Sequence, residues 1–313
     1  MWGLSLFCCL IDLIFMPDST KHILLMDGPD RKGLIYHVTG VLYRHNLNII
    51  HNAEYVSPAG QFFMRTEFEG LFNSEALLSE LSSALPRPDD DDQYSPDAPD
   101  STTDRQDITF RLNPKRQKKI VVMVTKEHHC LGELLIRYAF DELDADILAV
   151  ISNYNLLQPL VSKFGIPFHY VSHEGRSREE HEDAILRTLS IYEPEYLVLA
   201  KYMRVLTPSF VNHFSNRIIN IHHSFLPAFI GANPYRQAYE RGVKIIGATA
   251  HFVNNDLDEG PIIAQSVQEV DHRHTATDMA TKGKDVEKIV LSQALKLVFS
   301  DRVFISGNRA IVL

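Results

Sequence analysis

The sequence predicts an α/β protein built from two units: a split β-α-β-β-α-β arrangement of the ferredoxin-like kind, then a doubly wound, mostly parallel sheet. Over residues 22–112 the hydrophobic periodicity switches from strand to helix and back in that split order. From residue 119 onward, short apolar runs separated by helical periodicities mark a parallel sheet covered on both faces. Between them lies an acidic, proline-rich stretch with too few apolar side chains to order itself. The length of 313 residues also favours two domains over one. The expected boundaries are an extension over residues 1–21, a first domain over 22–113 that includes the acidic segment 86–107, and a second over 114–313.

Met1 to Thr20 carries the least information. Trp2 to Met16 is apolar, but it lacks a basic leader, contains Asp12 and is shorter than the ~20 residues of a membrane span. A frayed extension and a cytoplasmic protein are expected; an organelle address stays open, although no Arg is present to favour it. His22 to Met26 then reads as a strand, and Asp27 to Gly33 as a turn into a helix from Leu34 to His45, with Leu34, Val38, Val41, Leu42 and His45 on one face. Asn48 to Ser57 and Phe62 to Glu69 form a hairpin around Pro58-Ala-Gly60. Asn73-Ser74 caps a second helix to Leu85, with Ala76, Leu77, Leu81 and Ala84 inward, and Ile108 to Leu112 supplies the last strand. Gly28 and Gly33 would let backbone N–H groups approach a carboxylate at the first helix N-terminus, or serve simply as turn glycines.

In the second unit Lys119 to Val124, Asp146 to Ser152, Pro167 to Val171, Tyr196 to Ala200 and Arg217 to Ile221 are the expected strands. Leu131 to Glu142, Arg178 to Tyr192 and a long amphipathic stretch, Thr277 to Phe299, are the expected helices, with a terminal strand near Val303 to Leu313. Ligands of such sheets bind beyond the carboxyl ends of the strands. Asn220 and His222 stand at one such end, two residues apart and therefore on one face. An amide donor beside an imidazole suits a carbonyl turning tetrahedral: the N–H steadies the oxyanion and the imidazole moves a proton. Asp258 could orient that His or activate a water. Taken alone, an Asn and a His at a strand end are more often loop hydrogen-bonders; the whole ensemble reverses that balance.

The strings N-I-H-H-S-F-L-P (Asn220 to Pro227) and H-F-V-N-N-D-L-D-E-G-P (His251 to Pro261) resemble the signature of the formyltransferase superfamily of folate enzymes, whose catalytic Asn, His and Asp fall on Asn220, His222 and Asp258. Val124 to Gly132, Leu199 to Pro208 and Gly242 to His251 extend the resemblance to its deformylase branch over residues 22–313, apart from the acidic segment, where the usual connection is shorter. The resemblance implies hydrolysis of 10-formyltetrahydrofolate to tetrahydrofolate and formate, feeding purine biosynthesis and balancing one-carbon pools. It implies that Met203, Arg204 and Leu206 hold the pterin ring, a flat heterocycle that needs apolar walls and main-chain hydrogen bonds. Thr249 is a candidate for positioning Asp258 or a water. Folate is then the substrate, and no cofactor or metal is called for. D-x-x-G-L (Asp30 to Leu34) resembles the amino-acid-binding ACT regulatory domain, which places an effector such as glycine or methionine near Asp27, Asp30, Gly33 and Leu34. A homo-oligomer is expected by the same likeness.

Composition excludes other classes. The net charge of −9 disfavours a nucleic-acid binder, and residues 86–107, with eight Asp against Arg87 and Arg105, hold two-thirds of it. That run of carboxylates lacks the glycine-organised loop of a cation site. Cys8, Cys9 and Cys130 are too few for a disulfide framework, and Cys130 reads as a small packed residue rather than a nucleophile. His128, His129, His222, His223 and His251 lack the helical H-x-x-x-H spacing of a zinc site. In the superfamily, glycinamide ribonucleotide transformylase places a glycine-rich phosphate cradle directly after the first strand of this domain; Lys126 to Cys130 stands there without a glycine, which disfavours a phosphorylated amine acceptor. Water is left as the formyl acceptor; transfer to an amine, or a non-catalytic folate or amino-acid sensor, is the alternative.

Overall fold

The computed structural model describes residues 21–85, 108–228 and 233–313. The expectations for the extension before Lys21 and for the acidic segment 86–107 lie outside the described residues. The chain divides between Lys115 and Arg116.

The first unit runs β1 (Lys21–Pro29), α1 (Leu34–Arg44), β2 (Asn48–Val56), β3 (Gln61–Glu69), α2 (Ser74–Ala84) and β4 (Thr109–Pro114). Its four strands form one antiparallel sheet in the order β2-β3-β1-β4, the split arrangement the periodicity predicts. The alternate residues Leu24 and Met26 of β1 pack with Leu34, Val38, Val41 and Leu42 of α1 and Leu77 and Leu81 of α2. Each apolar stripe thus buries itself against the one sheet face that can receive it. His45 falls outside the predicted stripe: it terminates α1 and pairs with Glu80 at 2.8 Å. Ala76 is exposed, because it lies in the first turn of α2, where its N–H is taken by the Asn73 cap.

The second unit runs β5 (Lys118–Val124), α3 (His129–Ala139), β6 (Ala145–Ser152), α4 (Gln158–Val161), β7 (Phe168–Tyr170), α5 (Arg178–Leu189), β8 (Tyr196–Leu199), α6 (Pro208–His213), β9 (Ile218–His222), α7 (Pro234–Glu240), β10 (Ile245–Phe252), β11 (Ile262–Glu269) and α8 (Ala276–Phe299), ending in β12 (Val303–Ser306) and β13 (Arg309–Val312). A seven-stranded sheet in the order β11-β10-β9-β8-β5-β6-β7 is parallel from β9 to β7 and antiparallel at β10 and β11. Ile120, Val122 and Val124 of β5 face the layer holding α3 and α8, while Val121 and Met123 face the layer holding α5 and α6. The sheet is therefore covered on both faces, as its continuous apolar runs require. One terminal strand was expected; the chain instead turns at Gly307, whose φ of 56° admits the tight reversal, and pairs β12 with β13. Among the described residues no helix is long and apolar enough to cross a membrane.

Candidate active site

The strand order reverses between β5 and β8, and such a reversal opens a crevice at the carboxyl ends. Here the loop after β5 is tied to the end of β8 by the Thr125 hydroxyl, which donates to the Lys201 carbonyl at 2.8 Å. A cleft of about 700 Å³ lies at these ends. One wall is apolar: Met203, Val205 and Leu257 line it and are 58%, 47% and 60% exposed. Leu206 and Arg204 also line it and are half-buried.

The polar group comes from two antiparallel strands. β9 and β10 pair so that Asn220 stands opposite His251 and His222 opposite Thr249. Asn220 Nδ2 lies 3.2 Å from His251 Nε2, and His251 Nδ1 lies 2.8 Å from the Phe252 carbonyl. With Nδ1–H donating to that carbonyl, the His251 ring is fixed with Nε2 turned toward the Asn220 side-chain amide. Asp258 Oδ1 is 3.3 Å from His222 Nδ1 and 3.7 Å from His251 Nε2. Burial of Asp258 opposes its ionisation, but the contacts with His222 and His251 outweigh it and hold the carboxyl well below the usual carboxylate range. His222 Nε2 is buried with no hydrogen-bond partner among the described residues, and its ring stacks on His223 at 5.0 Å.

Local backbone requirements explain why these residues meet. Asp258 is left-handed, φ 58°, a conformation Asp tolerates better than most residues. Two residues on, a Cβ at Gly260 would fall 1.8 Å from the Phe252 carbonyl oxygen, so only glycine lets the turn close onto β10. The Phe252 N–H then bonds the Pro261 carbonyl at 2.9 Å.

Asn220, His222 and Asp258 are thus brought together, with Met203, Arg204 and Leu206 on the same cleft. Thr249 is not brought to it. Its hydroxyl is spent on the Ser224 carbonyl, the Leu226 N–H and Gln265, which fastens the turn after β9. In the first unit Asp27 pairs with Arg111 at 3.1 Å, and Asp30 is exposed with its N–H bonded to the Gly60 carbonyl. Gly33 is left-handed at the start of α1, which has no side-chain cap. Leu34 is 2% exposed and belongs to the core. Gly28 has a packing reason, since a Cβ there would meet Ile108 at 2.8 Å.

Sequence reasoning missed His251 as a member of the site, and a buried network beside it. The Glu287 carboxylate of α8 accepts from Tyr235 Oη at 2.6 Å and lies 2.7 Å from His129 Nε2 and 3.1 Å from Lys201 Nζ. Burial would raise its pKa, but His129, Lys201 and Tyr235 hold it down at about 2. His129, Cys130 and Glu287 could in principle ligate a metal. The donor set suits an ion-pair network better: Lys201 already occupies the carboxylate, and burial pushes the Cys130 thiol far up, away from the thiolate a metal needs.

Residues 118–295 match the formyl transferase family model and residues 22–85 match the ACT domain model. The formyltetrahydrofolate deformylase of Escherichia coli (strain K12) is 55% identical over 299 residues, spanning 95% of this chain and 100% of that protein. The chain belongs to the formyltetrahydrofolate deformylase family. The member from Bacillus subtilis (strain 168) is 43% identical over 94% of both chains. The crystal structure of the deformylase from Burkholderia mallei ATCC 23344 covers 94% of this chain at 35% identity, with a TM-score of 0.82 and 99% of that chain matched. Glycinamide ribonucleotide transformylase 1 from Symbiobacterium toebii is similar over 63% of this chain and 94% of its own, at 30% identity and a TM-score of 0.61. In the deformylase family chain described here, the loop after β5 carries Lys126 over the Tyr154 ring at 4.3 Å and Glu127 against Lys284 at 2.9 Å. Glu127 also lines the cleft.

Proposed function

We propose that the protein hydrolyses 10-formyltetrahydrofolate to tetrahydrofolate and formate, with the formyl carbonyl held at Asn220 and His222. The observation that supports this most is the meeting of a carboxamide, two imidazoles and one carboxylate at the end of an apolar-walled cleft. The pterin lies along Met203, Val205, Leu206 and Leu257. The Asn220 N–H donates to the oxyanion as water adds to the formyl carbon. His222, paired with Asp258 at 3.3 Å, relays the proton of the attacking water to the departing folate nitrogen as the C–N bond breaks. Asp258, ionised throughout, stabilises the imidazolium formed between those two steps. Folate enters as substrate, and these steps call on no resident metal or cofactor.

Mixing the purified protein with 10-formyltetrahydrofolate, with no amine present, tests this. Tetrahydrofolate and formate appear in equal amounts if the reading holds; release only on adding an amine would make the protein a transferase, and silence would make it a sensor. The uncapped N-terminus of α1 at left-handed Gly33 supports a second element of the proposal, an amino-acid carboxylate bound beside Asp27 and Asp30. Calorimetry with glycine and with methionine checks it, and absence of heat with both rejects it. A homo-oligomer formed through the first unit, where β2 is an edge strand, belongs to the same proposal and is read by light scattering.

A further inference from the structure

The apolar wall of the cleft leaves one question of chemistry: what decides that water, and not an amine, reaches the formyl carbon. The nucleophile must approach the formyl carbon from a side the folate does not occupy. Besides the apolar wall, the same cleft is lined by the linked group Tyr235, Lys201, His129 and Glu287. Tyr235 is seated on bare backbone: a Cβ at Gly283 would stand 2.1 Å from its Cζ and its hydroxyl oxygen. The hydroxyl donates to Glu287 at 2.6 Å, one turn along α8 from Gly283. Burial keeps that hydroxyl protonated and therefore a donor. The same ring lies 6.3 Å from His223, which stacks on His222 at 5.0 Å. The ring is thus held from below by a glycine, at its tip by a carboxylate whose other oxygen is bound by His129 and Lys201, and from the side by the imidazole next to the proton-transfer residue.

Resting on the hydrolysis reading above, we infer that Tyr235, seated on Gly283 and pinned by Glu287, is the specificity-determining residue that reserves the acceptor position for water. A water needs less room than any amine. An amine brings a substituent, and on this reading the Tyr235 ring, fixed on Gly283 and Glu287, fills the volume that the substituent requires. With the ring gone, the amine nitrogen forms its C–N bond as the bond to the folate nitrogen breaks, and the amine proton passes through His222 to that nitrogen, with no redox change.

The experiment supplies methoxyamine, which is unprotonated at neutral pH, and measures tetrahydrofolate, formate and N-methoxyformamide together. Wild type is expected to release tetrahydrofolate and formate equally at every methoxyamine concentration. Tyr235→Ala is expected to raise the amine-to-water partition roughly tenfold or more, with tetrahydrofolate exceeding formate by the N-methoxyformamide formed. Tyr235→Phe, which keeps the ring on Gly283, is expected to keep the wild-type product ratio. Should Tyr235→Ala fail to fold, Gly283→Ala displaces the ring with a single methyl and is read the same way. Equal tetrahydrofolate and formate in a folded ring-displaced variant, or N-methoxyformamide from wild type, overturns the role of Tyr235. Absence of formate from wild type without amine defeats the hydrolase reading itself, and this role with it.

Discussion

Replacing Asn220 tests the heart of the proposed chemistry, because the two available substitutions separate loss of a donor from gain of a charge. Asn220→Ala removes the N–H assigned to the oxyanion, while His251 keeps its bond to the Phe252 carbonyl and its place in β10. Loss of one such donor costs about 3 kcal/mol of transition-state stabilisation, or roughly a hundredfold to a thousandfold in kcat. Asn220→Asp keeps the size and removes the donor as well, but it adds a carboxylate. The legs of 3.2 Å from Asn220 to His251 and 3.7 Å from His251 to Asp258 keep the two acidic groups within about 7 Å. At an effective dielectric near 20 their repulsion is about 2 kcal/mol, and an oxyanion lying closer is repelled at least as strongly. Asn220→Asp is therefore expected to be slower than Asn220→Ala by a further factor of about ten or more. Initial rates of formate release against substrate concentration read both variants, with kcat falling and KM changing little. Near-normal kcat in Asn220→Ala, or an Asp variant faster than the Ala variant, would refute the oxyanion assignment.

Glu287→Gln is expected to destabilise the second unit by roughly 3 kcal/mol at neutral pH, since the carboxylate held at about 2 serves Lys201 and His129 in a buried site. The depressed carboxyl contributes stability that is complete above its ordinary value of 4.5 and is lost as pH falls through about 2, so the urea-unfolding gap between wild type and variant narrows across that window. His223, pushed down to about 4 by burial and by Lys201, contributes stability that is complete above 6.5 and is lost as pH falls through about 4; His223→Gln should flatten thermal stability over that range. Gly260→Ala places a methyl 1.8 Å from a backbone oxygen, costs roughly 1–3 kcal/mol of strain, and should lower kcat by moving Asp258, with circular dichroism unchanged.

Asn220 and His222 were legible because both lie on one strand, where alternation alone puts them on one face. Asp258 could be named as a candidate from its loop, but its catalytic assignment came with the family likeness, since nothing in a chain read from end to end says that a left-handed Asp lands 3.3 Å from an imidazole 36 positions earlier. His251 escaped for a related reason. Its role depends on cross-strand register, which is a property of a pair of segments. Glu287 did leave a signal. It interrupts the buried stripe Met279, Gly283, Val286, Val290, Leu291 of α8, and a carboxylate in such a stripe requires buried partners. Thr249 shows the opposite error, a polar residue near the motif whose hydroxyl serves a turn. The helix limits moved by a few residues wherever capping chemistry, rather than the apolar period, set the end, as at Thr275, whose capping box with Asp278 starts α8.

The pairing of Asn220 with His251 has an evolutionary corollary. Backbone hydrogen bonds between two adjacent ribbons set the distance separating these groups, and a slip of a single position would swing both side chains to the wrong face and present Ile221 in their stead. Segments at the rim, such as the stretch carrying Met203 and Leu206, are not part of that pairing. Drift in their length or composition can therefore alter how the folate is held while the reactive pair keeps its spacing, and rim grafts between relatives should change KM ahead of kcat.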